Sequence, residues 1–329
     1  VQLSDTRFLL ALTAAAAPVA GHAIGQYWYG FLVFFVVIPV ADVFLGRSVA
    51  PAPADEMRRL ETSALFRFIL YAWVPLQLGL ILWGSKLISE GGLDALDAVL
   101  FTLSVGLATG ATGITIAHEL GHKRPALDRF LSRLLLVTVS YGHFTVEHNR
   151  GHHVRVATPE DPATARYGES FWRFLPRTLT GSFKDAFCMD PSEVFRMWAA
   201  TFAVAATLGL AFGPLAVAFF LGQSAMAVLL LEAVNYIEHY GLERKKLADG
   251  RYERPAARHA WDAYERLSNC FLVHLQRHAD HHLNPMRPYA ALQPQAESPK
   301  LPTGYAGMVP IALLPPLWFA VINPRVPRG

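Results

Sequence analysis

Cysteine is the scarcest chemistry-bearing residue in this chain, with only Cys188 and Cys270 among 329 residues. Two isolated cysteines exclude a disulfide framework and any pair of C-x-x-C motifs that could hold an iron–sulfur site, so both read as small buried side chains. A glycine-rich dinucleotide or flavin fingerprint is also missing, so nothing here reads as a nucleotide-cofactor domain. Charge is sparse as well, at 17% of residues with a net +3. Without a concentrated basic face, nucleic acid is excluded as a partner. Neither an internal repeat nor a low-complexity tract is present.

What the chain has in excess is apolar sequence, 53% of residues, with a mean hydropathy of +0.27. It is gathered into runs, and roughly 20 apolar residues let a helix cross a bilayer core. Six runs qualify, at residues 8–24, 27–45, 64–83, 93–117, 198–212 and 215–236, the fifth being short. The first is followed at once by the second with no small-residue cleavage site, so residues 8–45 read as a helical hairpin and not as a secretory signal.

Lys and Arg mark the cytoplasmic connections. The 24–27 turn has neither and the 84–92 loop only Lys86, whereas Arg47, Arg58 and Arg59 lie between the first two hairpins and residues 118–196 are rich in both. The expected fold is therefore an all-α integral membrane protein of one domain, residues 1–329, with six transmembrane helices. Its termini face the cytoplasm, and residues 118–197 and 240–304 form one cytoplasmic helical cap. The proline-broken stretch 311–322 reads as an interfacial tail.

The chemistry sits in the histidines. Nine of thirteen fall into four groups at the cytoplasmic ends of the spans: His118 and His122; His148, His152 and His153; His239; and His278, His281 and His282. On a helix, positions i and i+4 share a face, so His118 and His122 are expected to point at one metal, and likewise His148 with His152. Buried imidazoles are costly unless paired, and metal binding accounts for all nine at once. His22, His143, His259 and His274 stand apart and read as packing residues.

A single tetrahedral zinc would leave about half of the nine idle, whereas two ions would use them all. Imidazole nitrogen suits iron, copper, nickel or zinc alike. Glu119, Glu147, Asp161, Glu238 and Asp280 are candidates to receive the ring N–H groups of the ligands. His118-Glu119-Leu120-Gly121-His122 also matches the H-E-x-x-H pattern of zinc metalloproteases, but that reading leaves the other seven histidines without a role. A metal transporter would need its ligands within the spans and not at their ends.

At these histidines the chain resembles the membrane non-haem iron enzymes with three histidine boxes, a class of desaturases and hydroxylases. The stretches Asn235-Tyr-Ile-Glu-His239-Tyr-Gly-Leu242, Leu275 to His282, Ala157-Thr-Pro-Glu-Asp-Pro162 and Asn284-Pro-Met-Arg-Pro-Tyr289 look specifically like bacterial alkane 1-monooxygenases. Fatty acid desaturases and xylene-type hydroxylases are the neighbouring alternatives. The resemblance implies two non-haem iron ions held by the nine histidines in the inner membrane, and O2-dependent terminal hydroxylation of medium-chain alkanes. It also implies electrons from rubredoxin, free or fused beyond Gly329, which an NADH-dependent rubredoxin reductase recharges. An unactivated alkane offers neither an acidic proton nor a leaving group, so such a reaction needs a strongly oxidising metal site. Tyr27, Phe31, Phe34, Phe35 and Ile38 share roughly one face of the second span and are the expected lining of a substrate channel.

Overall fold

A computed structural model describes residues 2–327. Among these residues every regular element is helical, and pairing between extended segments is limited to three isolated bridges. The labelled helices are α1 (Tyr29–Leu45), α2 (Ala64–Ser89), α3 (Ala95–Gly121), α4 (Ala126–Val137), α5 (Phe171–Met189), α6 (Pro191–Phe212), α7 (Pro214–His239), α8 (His278–Leu283) and α9 (Tyr305–Ala312).

Four helices are long and apolar enough to cross a membrane: α2 with the short helix leading into it (together Ala54–Ser89), α3, α6 and α7. Their ends have local causes. The Asp94 carboxylate accepts from Asp97 N at 2.8 Å to start α3, and Asp190 accepts from Glu193 N at 3.0 Å to start α6. Gly213, at φ +89°, ends α6, and Pro214 opens α7. The Asp190 cap lets α6 begin seven residues before the apolar run at 198, so this helix is longer than hydropathy suggests. α3 is central, with 72% of its most apolar window buried, whereas α6 is peripheral with 17%.

The first apolar run departs from expectation. It is broken into Leu3–Leu9, Leu10–Thr13 and Ala16–Ala23, with Phe8 wedged against His274 and Tyr289 at ring separations of 4.7 and 5.2 Å. Burying Phe8 there ties this segment to the residues around His274 and Tyr289. α1, the second run, is a single shorter apolar helix with a widened π-helical turn at Val33–Val37.

Small residues let α3 and α7 approach closely. A Cβ added at Gly110 would lie 2.7 Å from Ala227 Cα, and one at Gly106 would lie 2.5 Å from the Gln223 carbonyl oxygen. A buried polar network joins the same helices to the turn after α4. Thr109 donates to Gln223 Oε1 at 2.9 Å, Gln223 donates to the Thr138 carbonyl at 2.8 Å, and Gln77 of α2 donates to Thr138 Oγ1 at 2.8 Å. Each of these groups is satisfied in the apolar interior, so the network fixes the register of three helices.

Candidate metal centre

The nine clustered histidines come together at one end of the helical bundle. Two separate groups form, His118, His122, His148, His153 and His281 in one and His152, His239, His278 and His282 in the other, with the ligand-capable atoms of each within 4.8 Å of one another. His22, His143, His259 and His274 belong to neither. His118 reaches the site from the last turn of α3 and His122 from the residue that follows it, His239 from the last residue of α7, and His278, His281 and His282 from α8.

The second box is arranged differently from the i, i+4 expectation. His148 to His152 form a π-helical turn, in which one extra residue per turn rotates the following side chains. His148 consequently shares a group with His153, their Nε2 atoms 3.1 Å apart, while His152 turns to the other group. α8 keeps ordinary spacing, so His278 and His282 remain together, with Nε2 atoms 2.9 Å apart, and His281 faces the first group.

The ring nitrogens crowd together at hydrogen-bond distance. Nε2 of His118 lies 2.8 Å from that of His148, and Nε2 of His239 lies 3.0 Å from that of His278. His239 commits Nδ1 to the His259 carbonyl at 2.9 Å, and His152 commits Nδ1 to Asp161 Oδ2 at 2.8 Å. A neutral ring that donates from Nδ1 presents a bare lone pair at Nε2, so such rings converge on points suited to a cation. Burial pushes His122, His148, His153, His278, His281 and His282 well below the ordinary imidazole range. They are neutral at physiological pH, the state a metal requires. His152 is the exception: burial lowers its pKa, but the Asp161 carboxylate outweighs burial and raises it.

The five carboxylates singled out from the sequence have distinct places. Asp161 bonds a clustered imidazole directly and also accepts from Thr164 Oγ1 at 2.6 Å. Glu238 Oε2 lies 3.3 Å from His278 Nε2. Glu119 pairs with Lys123 at 2.8 Å and accepts from Tyr289 N at 3.0 Å. Glu147 faces Arg155 at 3.3 Å. Asp280 accepts from Arg287 at 2.6 Å and from Gln293 N at 2.8 Å, anchoring the segment after α8. The sequence reading missed the His259 carbonyl, since any residue type supplies one, and Asp262, which accepts from Ala279 N at 2.8 Å to hold the start of α8.

An apolar cavity reaches His118, His148 and His278, touching both groups. Its walls include Phe34 and Phe35 of α1, Leu107 and Ile114 of α3, and Val234 of α7, with Asn235 and Glu238 as polar exceptions. Tyr27, Phe31 and Ile38 are not among its lining residues. Tyr27 instead meets His22, hydroxyl to Nδ1, at 3.1 Å. Ile38 is buried in the core, and Phe31 packs beside Phe35 with ring centroids 6.4 Å apart.

Comparison with known proteins places this geometry. The fatty acid desaturase family pattern matches residues 96–312. Alkane 1-monooxygenase 2 of Pseudomonas aeruginosa is 44% identical over 315 residues, 91% of this chain and 84% of that protein. The alkane 1-monooxygenase of Acinetobacter baylyi is 38% identical over 311 residues, 90% of this chain and 76% of that protein. The xylene/toluene monooxygenase hydroxylase component of Pseudomonas putida matches more distantly, at 24% over 342 residues, 97% of this chain and 88% of that protein. The paired histidine groups, the apolar cavity reaching them and the extent of these matches agree: the chain belongs to the alkane 1-monooxygenase family, within the wider histidine-box family of fatty acid desaturases.

Proposed function

We propose that this protein hydroxylates the terminal carbon of medium-chain n-alkanes, with two non-haem iron ions held by its five-histidine and four-histidine groups. The observation that carries the reading is the apolar cavity whose lining includes His118, His148 and His278. Its walls are almost wholly apolar and have little to offer a polar substrate. The iron pair would supply the oxidising power to place one oxygen atom of O2 into a C–H bond, while two electrons and two protons reduce the other atom to water.

The chain's own residues do the positioning. Phe34, Phe35, Leu107 and Val234 hold the alkane lengthwise and exclude water, so its terminal methyl is the part brought to the histidines. Asp161 and the His259 carbonyl fix the rings of His152 and His239 so that both turn Nε2 inward. His153 and His282 are the only partly exposed members of their groups, which makes their side the entry for electrons from rubredoxin, separate or fused, and its NADH-dependent reductase.

A bilayer setting accounts for the four long apolar helices. With α1 and the broken first segment, a six-span arrangement in the inner membrane follows the Lys and Arg asymmetry of the loops, and residues 1–329 act as one domain with the histidines on the cytoplasmic side.

The test is the metal content of purified protein together with the product formed from octane or dodecane when reduced rubredoxin and O2 are supplied. Near two irons per chain and 1-alkanol are expected. An alkene would mean a desaturase; one zinc with no alcohol would restore the metalloprotease reading.

A further inference from the structure

Away from the cavity and the histidines, a second, polar cleft opens between α4 and the start of α6. Arg129 and Arg133 of α4, Arg150 of the second histidine box and Arg196 of α6 line it, against only two carboxylates, Asp190 and Glu193. Arg133 and Arg196 share Glu193 at 2.5 and 2.6 Å, and Arg150 faces Asp190 at 3.3 Å. Arg129 has no carboxylate within ion-pair distance among the described residues, which leaves two positive charges in excess. Nothing in the proposed alkane chemistry uses these arginines.

The position of the cleft identifies its ligand. α6 has 22 residues, enough at about 1.5 Å each to cover a bilayer core, so its first turn lies at headgroup depth. Beside the arginines the side chains are apolar and outward: Phe195 is 74% exposed and Phe202 67% on α6, and Leu127 and Phe130 are more than half exposed on α4. Exposed aromatic and aliphatic side chains next to arginines at a helix end are the surface that lipid tails and headgroups cover together.

We infer that this cleft binds the phosphate of an anionic membrane phospholipid, with its acyl chains lying along Phe195 and Phe202. Guanidinium groups suit a phosphate oxyanion because their planar N–H forks bond two oxygens at once. The floor of the cleft includes Gly121 and Asn149, each adjacent to a clustered histidine, and the Asn149 side chain donates to the Gly121 carbonyl at 3.1 Å. A bound headgroup therefore braces the two segments that carry His122 and His148.

Native mass spectrometry of the purified protein in detergent micelles, titrated with phosphatidylglycerol or phosphatidylcholine, tests this. Wild type should keep one phosphatidylglycerol per chain at concentrations where phosphatidylcholine is largely lost. Each arginine near a headgroup contributes roughly a fivefold change in affinity. Arg196→Gln, at an exposed position, should weaken phosphatidylglycerol retention about fivefold, and Arg129→Gln with Arg196→Gln roughly twentyfold or more. Arg251→Gln, at an exposed position outside the cleft, should change nothing.

Equal retention of the two lipids by wild type would overturn the inference without requiring any variant to fold. Unchanged retention in the folded variants would do so too. Displacement of the lipid by inorganic phosphate would make this a free-anion site. A raised KM for rubredoxin in the variants, with lipid retention intact, would make it a protein-docking face. Lipid retention is read without turnover, so this inference and the proposed alkane chemistry fail separately.

Discussion

At the scale of single residues, the site depends on which nitrogen of each imidazole is free. Asp161 sets that for His152 through the 2.8 Å contact at Nδ1. Asp161→Asn keeps an oxygen there but removes the charge, and loss of such a partner typically costs 10–100-fold in metal affinity. Dialysis against a weak chelator should therefore strip the four-histidine group first, so that metal falls toward one ion per chain while the five-histidine group stays loaded. Simultaneous loss from both groups would contradict independent sites. His143 shows the same physics without a metal. It lies beside Tyr141, Phe183 and Trp198, neither ring nitrogen has a partner among the described residues, and burial pushes it down to about 4. Between pH 6.5 and 4 the unfolded chain takes up a proton that the folded chain refuses, so stability falls as pH falls across that window, by about 3 kcal/mol at its lower end. His143→Phe removes this term. The thermal midpoint of metal-free His143→Phe should drop less than that of metal-free wild type between pH 7 and 5, and parallel slopes would count against the assignment. The nine clustered histidines were legible because their spacing and number had no packing explanation. The His259 carbonyl was not, because a backbone acceptor leaves no mark in residue identity.

At the scale of elements, hydropathy placed the apolar runs but could not show where the helices widen or break. π-helical turns occur at Val33–Val37, Thr109–Ile114 and His148–His152, and each contributes residues to the cavity wall. A single extra residue per turn shifts side chains without altering composition or apolar content, so hydropathy is blind to it. The shift also separates Phe34 and Phe35, which line the cavity, from Phe31, which shares their aromatic character but does not. Phe35→Ala should open the wall to longer alkanes. Each added methylene that finds apolar contact gains about fourfold in kcat/KM, so the preferred chain length should lengthen, while Phe31→Ala leaves the profile in place. A shift of the product distribution with Phe31→Ala and none with Phe35→Ala would reverse the wall assignment. Close packing limits substitution elsewhere. Gly110→Val would drive a side chain into Ala227 and push α3 from α7, so reduced thermal stability is expected there even though the residue touches no histidine.

At the scale of the whole molecule, the two histidine groups gather chain segments that are far apart: the end of α3, the 148–153 turn, the end of α7, and α8. Without a cation, the bare Nε2 of His239 is met at 3.0 Å by the ring of His278. Burial fixes the pH dependence of the metal-free protein. Six of these imidazoles are held well below their unfolded value. Below pH 6.5 the unfolded chain therefore gains protons that the folded chain does not, and every such group lowers stability as the solution is acidified. A bound metal ion adds stability on top of this trend because it binds the folded arrangement, and it is released when protons compete for the nitrogens. Chelation should thus lower the unfolding temperature, by about 10 °C if the ions contribute even ~5 kcal/mol, and the gap between metal-free and iron-loaded protein should be no wider at pH 6 than at pH 8, because both forms unfold to the same protonated chain and protons compete with the metal for the nitrogens. Two equivalents of Fe(II) should close the gap at pH 8, the second equivalent restoring the part left by the first. If one equivalent restored the full midpoint, the nine histidines would be serving a single ion, and the division into five and four would be an arrangement of side chains without two binding events behind it.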